Sequence, residues 1–313
     1  MSRYRLKKIS LKIVLILLLL FNHPFFAFCE EQYVIAVIRS QDIIPYGSAF
    51  IGFQEELKKF EKEVRVEYVD FNFDEYISQP QELISKMIQT KPQLIFTIGT
   101  EATVFAKQNF KDFPIVFSMV LDPVASGIVK SFDSSQENIT GVSLKISVEE
   151  QFKNLKQILP KISKIGMLYD AQKMIALKDE AERAAQNLNL SLVAVSVLSK
   201  SEVDQALEDI LEKADCLWAG VDTLIYNAQS AEHILLMTLR NKIPFMAFSS
   251  HYVKAGALLA LEADYEDIGR QTAELALKVL RGESAGKIPV QSPRKIQLVT
   301  NKKTAELIGV KVP

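Results

Sequence analysis

Apolar positions along this chain fall into short β-branched runs, separated by stretches whose apolar residues recur every three to four positions. Tyr33–Ile38 is one such run. It breaks at Arg39-Ser40-Gln41, and Phe50, Phe53, Leu57 and Phe60 then mark one face of a helix. Val64–Phe71 alternates as a strand, and Gln81–Gln89 reads as a helix. Gln93–Ile98 is an apolar strand ending at Gly99-Thr100, Ala102–Gln108 a short helix, and Pro114–Val120 the next strand. Strands apolar on both faces and joined by helices predict a parallel sheet covered on two sides.

The rhythm then restarts. Helix Glu149–Leu159 stops at Pro160; strand Lys164–Tyr169, helix Leu177–Asn187 and strand Leu192–Val197 follow. Ser201 is a suitable N-cap for helix Glu202–Lys213, its hydroxyl able to accept from an early amide. Ala214–Val221 and Pro244–Phe248 read as strands around helix Ala228–Asn241. The tail adds strand Ala257–Glu262, the amphipathic helix Asp267–Arg281 closed by Gly282, strand Lys295–Thr300 and helix Lys303–Leu307. The pattern predicts two doubly wound α/β units in tandem, joined near Asn138–Leu144, with a late helix free to dock on either.

The first residues change the picture of where the chain works. Arg3, Arg5, Lys7, Lys8 and Lys12 lead into the apolar run Ile13–Phe21, and Ala27-Phe28-Cys29 forms a small-residue exit. That is the layout of a secretory signal peptide, and the run is too short to span a bilayer. Lipid anchoring calls for a small residue before the acylated Cys, whereas Phe28 precedes Cys29. Cleavage after Cys29 is the expectation, giving a free periplasmic or exported protein that starts near Glu30. Five basic and no acidic residues precede Glu30, which leaves 32 basic against 38 acidic and a formal charge of −6. No basic cluster suits a phosphate backbone, so nucleic acid is not expected as a partner. Cys216 is the one remaining cysteine; set in Cys216-Leu217-Trp218-Ala219, it reads as a buried thiol.

In open parallel sheets ligands bind beyond the carboxyl ends of the strands, where helix N-termini offer unpaired amides. The candidate turns in the first unit are Arg39-Ser40-Gln41, Gly99-Thr100-Glu101 and Leu121-Asp122-Pro123. In the second they are Tyr169-Asp170, Val221-Asp222-Thr223 and Ser249-Ser250-His251. The expected ligand contacts are Ser40, Gln41, Gly99, Thr100, Asp122, Tyr169, Asp170, Asp222, Thr223 and Ser249. Tyr46, with Tyr169 and Tyr226, is placed to flank a ring. Local roles compete at several of these positions: Ser40, Thr100 and Asp222 also suit helix caps, Gly99 a tight turn, and Asp122-Pro123 an Asx-turn. Asp222 follows an apolar run and suits a ligand ammonium.

An ordered series of motifs now carries a resemblance across nearly all of the chain after Cys29. The series runs Thr97-Ile98-Gly99-Thr100, Asp122-Pro123-Val124, Gly127-Ile128-Val129 and Asn138-Ile139-Thr140-Gly141-Val142-Ser143. It continues with Leu159-Pro160, Lys164–Tyr169, Ile243-Pro244-Phe245, Tyr252–Ala257, Asp264-Tyr265, Gly269–Thr272 and Lys278–Gly282. The chain resembles the tryptophan-binding-protein-like substrate-binding proteins of ABC importers, which have the type I periplasmic-binding fold. The resemblance implies two Rossmann-like lobes with three crossovers, near Gly141, Asp264 and 287–293, and a central cleft that closes on a small, amino-acid-like ligand. Lobe one would hold 32–139 and 265–283, and lobe two 142–263 and 292–313. It also implies that the Asp at position 222 meets an α-amino group. Two positions depart from the family's habit: Thr223 stands where Asn is usual, and Asp170-Ala171-Gln172-Lys173 replaces an Asn and Ser that hold a ligand carboxylate. A carboxylate there repels an acidic ligand unless it turns away or Lys173 compensates.

Catalytic motifs do not occur: there is no HExxH, GxSxG, P-loop, GxGxxG or paired Cys, and His233 and His251 stand alone after Glu30. The expectation is a monomeric receptor, not an enzyme, with no metal or cofactor, whose partner is a membrane ABC permease. The alternative partner is a membrane kinase or chemoreceptor that reads the closed form.

Overall fold

The computed structural model describes residues 31–60, 64–135, 137–222 and 224–313. The leader at 1–29 with its cleavage point, and Thr223, lie outside the described residues.

The first half alternates β1 (Glu31–Arg39), α1 (Ile44–Lys58), β2 (Val64–Asn72), α2 (Pro80–Gln89), β3 (Leu94–Ile98), α3 (Thr100–Asn109), β4 (Ile115–Val120) and β5 (Ile139–Ser143). These strands form a five-stranded parallel sheet in the order β2-β1-β3-β4-β5. The second half runs α4 (Val148–Ile158), β6 (Lys164–Asp170), α5 (Ile175–Asn187), β7 (Ser191–Val197), α6 (Val203–Leu211), β8 (Cys216–Trp218), α7 (Ala228–Arg240), β9 (Phe245–Ala247), α8 (Ser250–Ala255) and β10 (Leu259–Ala263). The chain ends with α9 (Tyr265–Leu280), β11 (Ile296–Thr300) and α10 (Lys302–Ile308). The second sheet has six strands in the order β11-β10-β9-β8-β6-β7, parallel except for the antiparallel edge strand β11. With β11 set aside, both sheets share one doubly wound topology, in which the first strand lies between the second and third.

Both faces of each sheet are packed. Phe53 stacks on Phe96 at 3.9 Å in one layer, while Leu83, Met87, Phe105 and Phe117 fill the opposite face. Phe152 meets Trp218 edge-on at 5.1 Å in the second half. The buried Cys216 thiol is free, and burial pushes its pKa up, with Asp215 adding to the effect.

The late helix α9 follows the second sheet but buries Ile268, Leu275, Ala276 and Val279 against α1 and the first sheet. Two glycines permit this: a Cβ on Gly269 would lie 1.9 Å from the Ala49 carbonyl, and one on Gly52 2.0 Å from that of Glu266. The chain crosses between the sheets three times. After β5 it passes to α4; after β10 it returns at Asp264 to α9. It crosses a third time between Gln291, which bridges Val142, and Lys295, whose carbonyl accepts from the Asp264 amide. Gln271 and Asp267 of α9 fasten this last crossing. Gln271 donates to Gln291 and Ser292 and accepts from the Arg294 amide, and Asp267 holds the Arg294 guanidinium.

Three local expectations change. Ile139–Ser143, read as a junction, is a strand; its polar members hide in the sheet because Thr140 donates to the Ile288 carbonyl and Ser143 to that of Val120. Ser201 does not cap α6. It lies in a short 3-10 turn at Lys200–Glu202 and bonds the Ser199 hydroxyl, while the Glu202 carboxylate collects the Leu198 amide and the Ser199 hydroxyl. Helix α1 starts at Ile44, with Pro45 in its first turn, ahead of the apolar stripe that marks it in sequence.

Candidate functional site

The strand ends of the first sheet are held by a small polar knot. The Ser40 amide donates to the Ile98 carbonyl at 2.9 Å, and its buried hydroxyl accepts from the Ala102 amide at 3.0 Å, so Ser40 caps α3 from a neighbouring strand. Gly99 has φ 95°, and a Cβ there would lie 2.5 Å from Ser40 Oγ and 2.7 Å from the Tyr46 hydroxyl. Only glycine lets these groups meet. Thr100 begins α3 half-buried beside them, and Gln41 is exposed. The first amides of α3, at Thr100 and Glu101, have by position no intrahelical partner. Burial and then the Glu101 charge raise the Tyr46 pKa, so its hydroxyl stays protonated and able to donate.

The three aspartates of the candidate turns follow one rule: one carboxylate oxygen serves the local backbone. Asp122 Oδ1 accepts from the Val124 and Ala125 amides at 3.1 and 3.0 Å. Asp222 Oδ1 accepts from Leu224 and Ile225 at 2.6 and 2.9 Å, and Asp170 Oδ1 from Gln172 at 2.7 Å. Asp170 and Asp222 are buried. The Asx-turn reading holds at Asp122, whereas Asp222 binds the Leu224 and Ile225 amides ahead of α7, which starts at Ala228, and so caps no helix; nor does the Thr100 side chain cap α3. Each aspartate leaves a second oxygen for another role. Ser249 is half-buried just before α8, and Tyr169 is half-buried against the second core. Tyr226 is enclosed by Phe245, Phe248 and Tyr252; burial, then Asp222 and Tyr252, raise its pKa, and its hydroxyl has no hydrogen-bond partner among the described residues.

Between the halves lies a cleft of about 360 Å³, within the range of small-molecule sites. It opens beside the crossings. The first half lends Leu121, Asp122 and Ala125; the first crossing lends Leu144, Lys145 and Ile146; the second half lends Gln151, Lys173, Met174, Leu177, Glu180, Trp218, Val221, Phe248 and Glu262. Of the described sequence candidates, Asp122 alone lines it. Val221 places Asp222 next to its wall, while the Ser40–Tyr46–Gly99–Thr100 knot sits at the neighbouring strand ends.

Most of the wall escapes a sequence reading because it comes from helix sides and crossings rather than from strand-end turns. Leu121, Asp122 and Val221 of the candidate turns, and Lys173 after β6, are the exceptions. Trp218 reads as core, and it is 1 % exposed; it nonetheless contributes to the cleft lining, and its Nε1–H donates to Gln151 Oε1 at 2.8 Å. Lys145 is the main charge in the wall. Its ammonium lies 3.1 Å from Asp122 Oδ2 and 2.9 Å from Glu180 Oε2. Burial works against that charge, but the bonds and charges of Glu180 and then Asp122 outweigh it and hold the pKa above an ordinary lysine's. Among the described residues no cluster of His, Cys, Asp and Glu is arranged to hold a metal ion, and no helix is long and apolar enough to cross a membrane.

Known proteins match this architecture. A tyrosine-binding protein of Clostridioides difficile (strain R20291) is 31% identical over 245 residues, which are 77% of this chain and 70% of that protein. The ligand-free, open structure of a substrate-binding protein with adhesive properties from Clostridium difficile superposes with a TM-score of 0.78 at 28% identity, covering 90% of this chain and 96% of that one. A Streptococcus pneumonia ABC domain in complex with L-Trp shares the fold, with a TM-score of 0.63 at 22% identity over 90% of this chain and 96% of its own. The family model for ABC transporter substrate-binding proteins matches residues 45–313, and the chain belongs to that family of solute-binding, non-enzymatic proteins.

Proposed function

We propose that this chain captures an amino-acid-like ligand with an apolar or aromatic body outside the cytoplasm and presents it to a membrane ABC importer. The observation that carries this reading is the cleft of about 360 Å³, lined from both halves and by Trp218. Its apolar part, from Met174, Leu177, Trp218, Phe248 and Leu261, suits a ring or branched chain. Asp222, buried with one oxygen uncommitted to its turn, suits an ammonium. The α3 amides with the Ser40, Tyr46 and Thr100 hydroxyls suit a carboxylate. Gln41, Tyr169, Asp170, Thr223 and Ser249 complete the proposed set.

The halves act as two lobes that close on the ligand. Lobe one comprises 32–145 with 265–283, its bound moved past 139 because β5 (Ile139–Ser143) pairs with β4 and the Leu144 amide donates to the Val120 carbonyl; lobe two comprises 146–263 with 292–313. Closure is a population shift driven by contacts the ligand makes only when both lobes reach it. The leader at 1–29 directs export, and a monomer suffices because the cleft needs no second chain. The 31% identical tyrosine-binding relative makes L-tyrosine the first ligand to test.

Calorimetry with L-tyrosine, then with a panel of amino acids and small organic acids, tests the reading. The expected result is one-site binding that also changes the emission of Trp218, the only tryptophan in the chain. Absence of heat across the panel would refute an amino-acid-like ligand.

A further inference from the structure

We infer that Lys145 is a positioning residue for capture: its ammonium latches the two halves together across the cleft through Glu180, independently of ligand. The inference rests on the reading of the halves as mobile lobes and adds what sets their resting balance.

The backbone around Lys145 belongs to the first half. The Leu144 amide donates to the Val120 carbonyl at 2.7 Å, and the Lys145 amide donates to Ser143 Oγ at 2.9 Å. Asp122 is equally fixed. Its Oδ1 holds the Val124 and Ala125 amides, which aims Oδ2 at the ammonium, 3.1 Å away. Glu180 belongs to the other half. It sits on α5, whose Ala181, Ala184 and Ala185 are buried in the second core. The 2.9 Å contact from Lys145 Nζ to Glu180 Oε2 is thus a side-chain tie between the two units.

Motion about those crossings must change this distance. When the halves part, the ammonium keeps Asp122 and loses Glu180; when they approach, it bridges both. All three side chains line the cleft, so the tie acts where the ligand sits. Without Lys145, Asp122 and Glu180 face the same cleft as like charges, and attraction becomes repulsion. The side chains of Lys145 and Glu180 are 29% and 30% exposed, so solvent moderates the effect. A pair of this exposure changes an open-to-closed ratio by about two- to fivefold.

Double electron–electron resonance on the full mature chain tests the latch without reference to ligand identity. Spin labels go on Lys111→Cys and Glu208→Cys, exposed positions in the first and second halves. Native Cys216 is buried and stays unlabelled. In the ligand-free protein, Lys145→Met is expected to move population toward longer distances, and Glu180→Gln to do the same by cutting the tie from the other side. Each variant is expected to bind L-tyrosine about two- to fivefold more weakly. Unlengthened distributions in both variants, with melting temperatures like that of the parent, would overturn the latch. The parent with and without L-tyrosine separates the two failures. A parent that shortens on ligand beside unmoved variants sinks the latch alone, whereas a parent unmoved by the whole ligand panel sinks the capture reading even where the variants shift.

Discussion

Asp222 carries two duties that two substitutions can separate. The residue is itself buried, and its Oδ1 accepts from the Leu224 and Ile225 amides at 2.6 and 2.9 Å, while its charge is proposed to meet a ligand ammonium. Asp222→Ala removes both. Loss of this acceptor costs about 1–3 kcal/mol, since two amides are left without it. In a chain of this size that lowers the melting temperature by a few degrees. Asp222→Asn keeps an amide oxygen for the same two N–H groups and removes only the charge, so it should melt close to the parent. Its ligand loses a charge-assisted hydrogen bond worth about 1.5–3 kcal/mol, a weakening of about 10- to 150-fold. Calorimetry with L-tyrosine reads the affinity, and N-acetyl-L-tyrosine, which lacks the ammonium, should bind parent and Asn variant alike. Asp222→Asn binding L-tyrosine as tightly as the parent would refute the assignment.

Three further outcomes follow from the geometry. Gly269→Ala places a methyl 1.9 Å from the Ala49 carbonyl, so α1 and α9 must separate; urea unfolding should show a loss of about 1–3 kcal/mol or more, and an unchanged midpoint would contradict the close helix contact. Tyr226→Phe removes a buried hydroxyl that lacks a partner, and thermal unfolding should show equal or greater stability, by about 1 kcal/mol; a marked loss would mean the hydroxyl is satisfied in solution. Burial alone would raise the Asp215 and Asp264 pKa values, but amide and side-chain bonds at Ser163 and Lys164, and Lys295 with the Asp267 amide, lower both on balance. Their folded values lie below the unfolded ones, so the stabilisation is present above pH about 4 and is lost as pH falls through the folded values; Asp215→Asn should flatten the acid limb of a stability profile, and an unaltered limb would count against the depressed pKa.

The periodicities that predict the strands and helices are physical consequences of burial, which is why most elements of both halves were legible. β5 was hidden because Thr140, Gly141 and Ser143 read as a loop, and only the acceptors at Ile288 and Val120 make those hydroxyls acceptable inside a sheet. β8 and β9 are three residues each, shorter than their apolar runs, because a run reports burial and not pairing. The strand-end turns were legible as a class, since sheet topology places them at one edge. Which side chains line the cleft was not: Lys145 comes from a crossing, Glu180 from a helix side and Trp218 from what reads as core.

Local order, in the end, is a property of neighbours along the chain. Apolar spacing and turn residues were enough for two tandem α/β units, and the ordered motifs were enough for the family. The docking of α9 on the first half and the third crossing draw on contacts between residues more than a hundred positions apart, and the cleft wall joins Lys145 to Glu180 across 35 positions and Trp218 to Gln151 across 67. Gly52 against Glu266 and Thr140 on Ile288 are such contacts, and no local pattern encodes them because their energies exist only once segments distant along the chain have packed together.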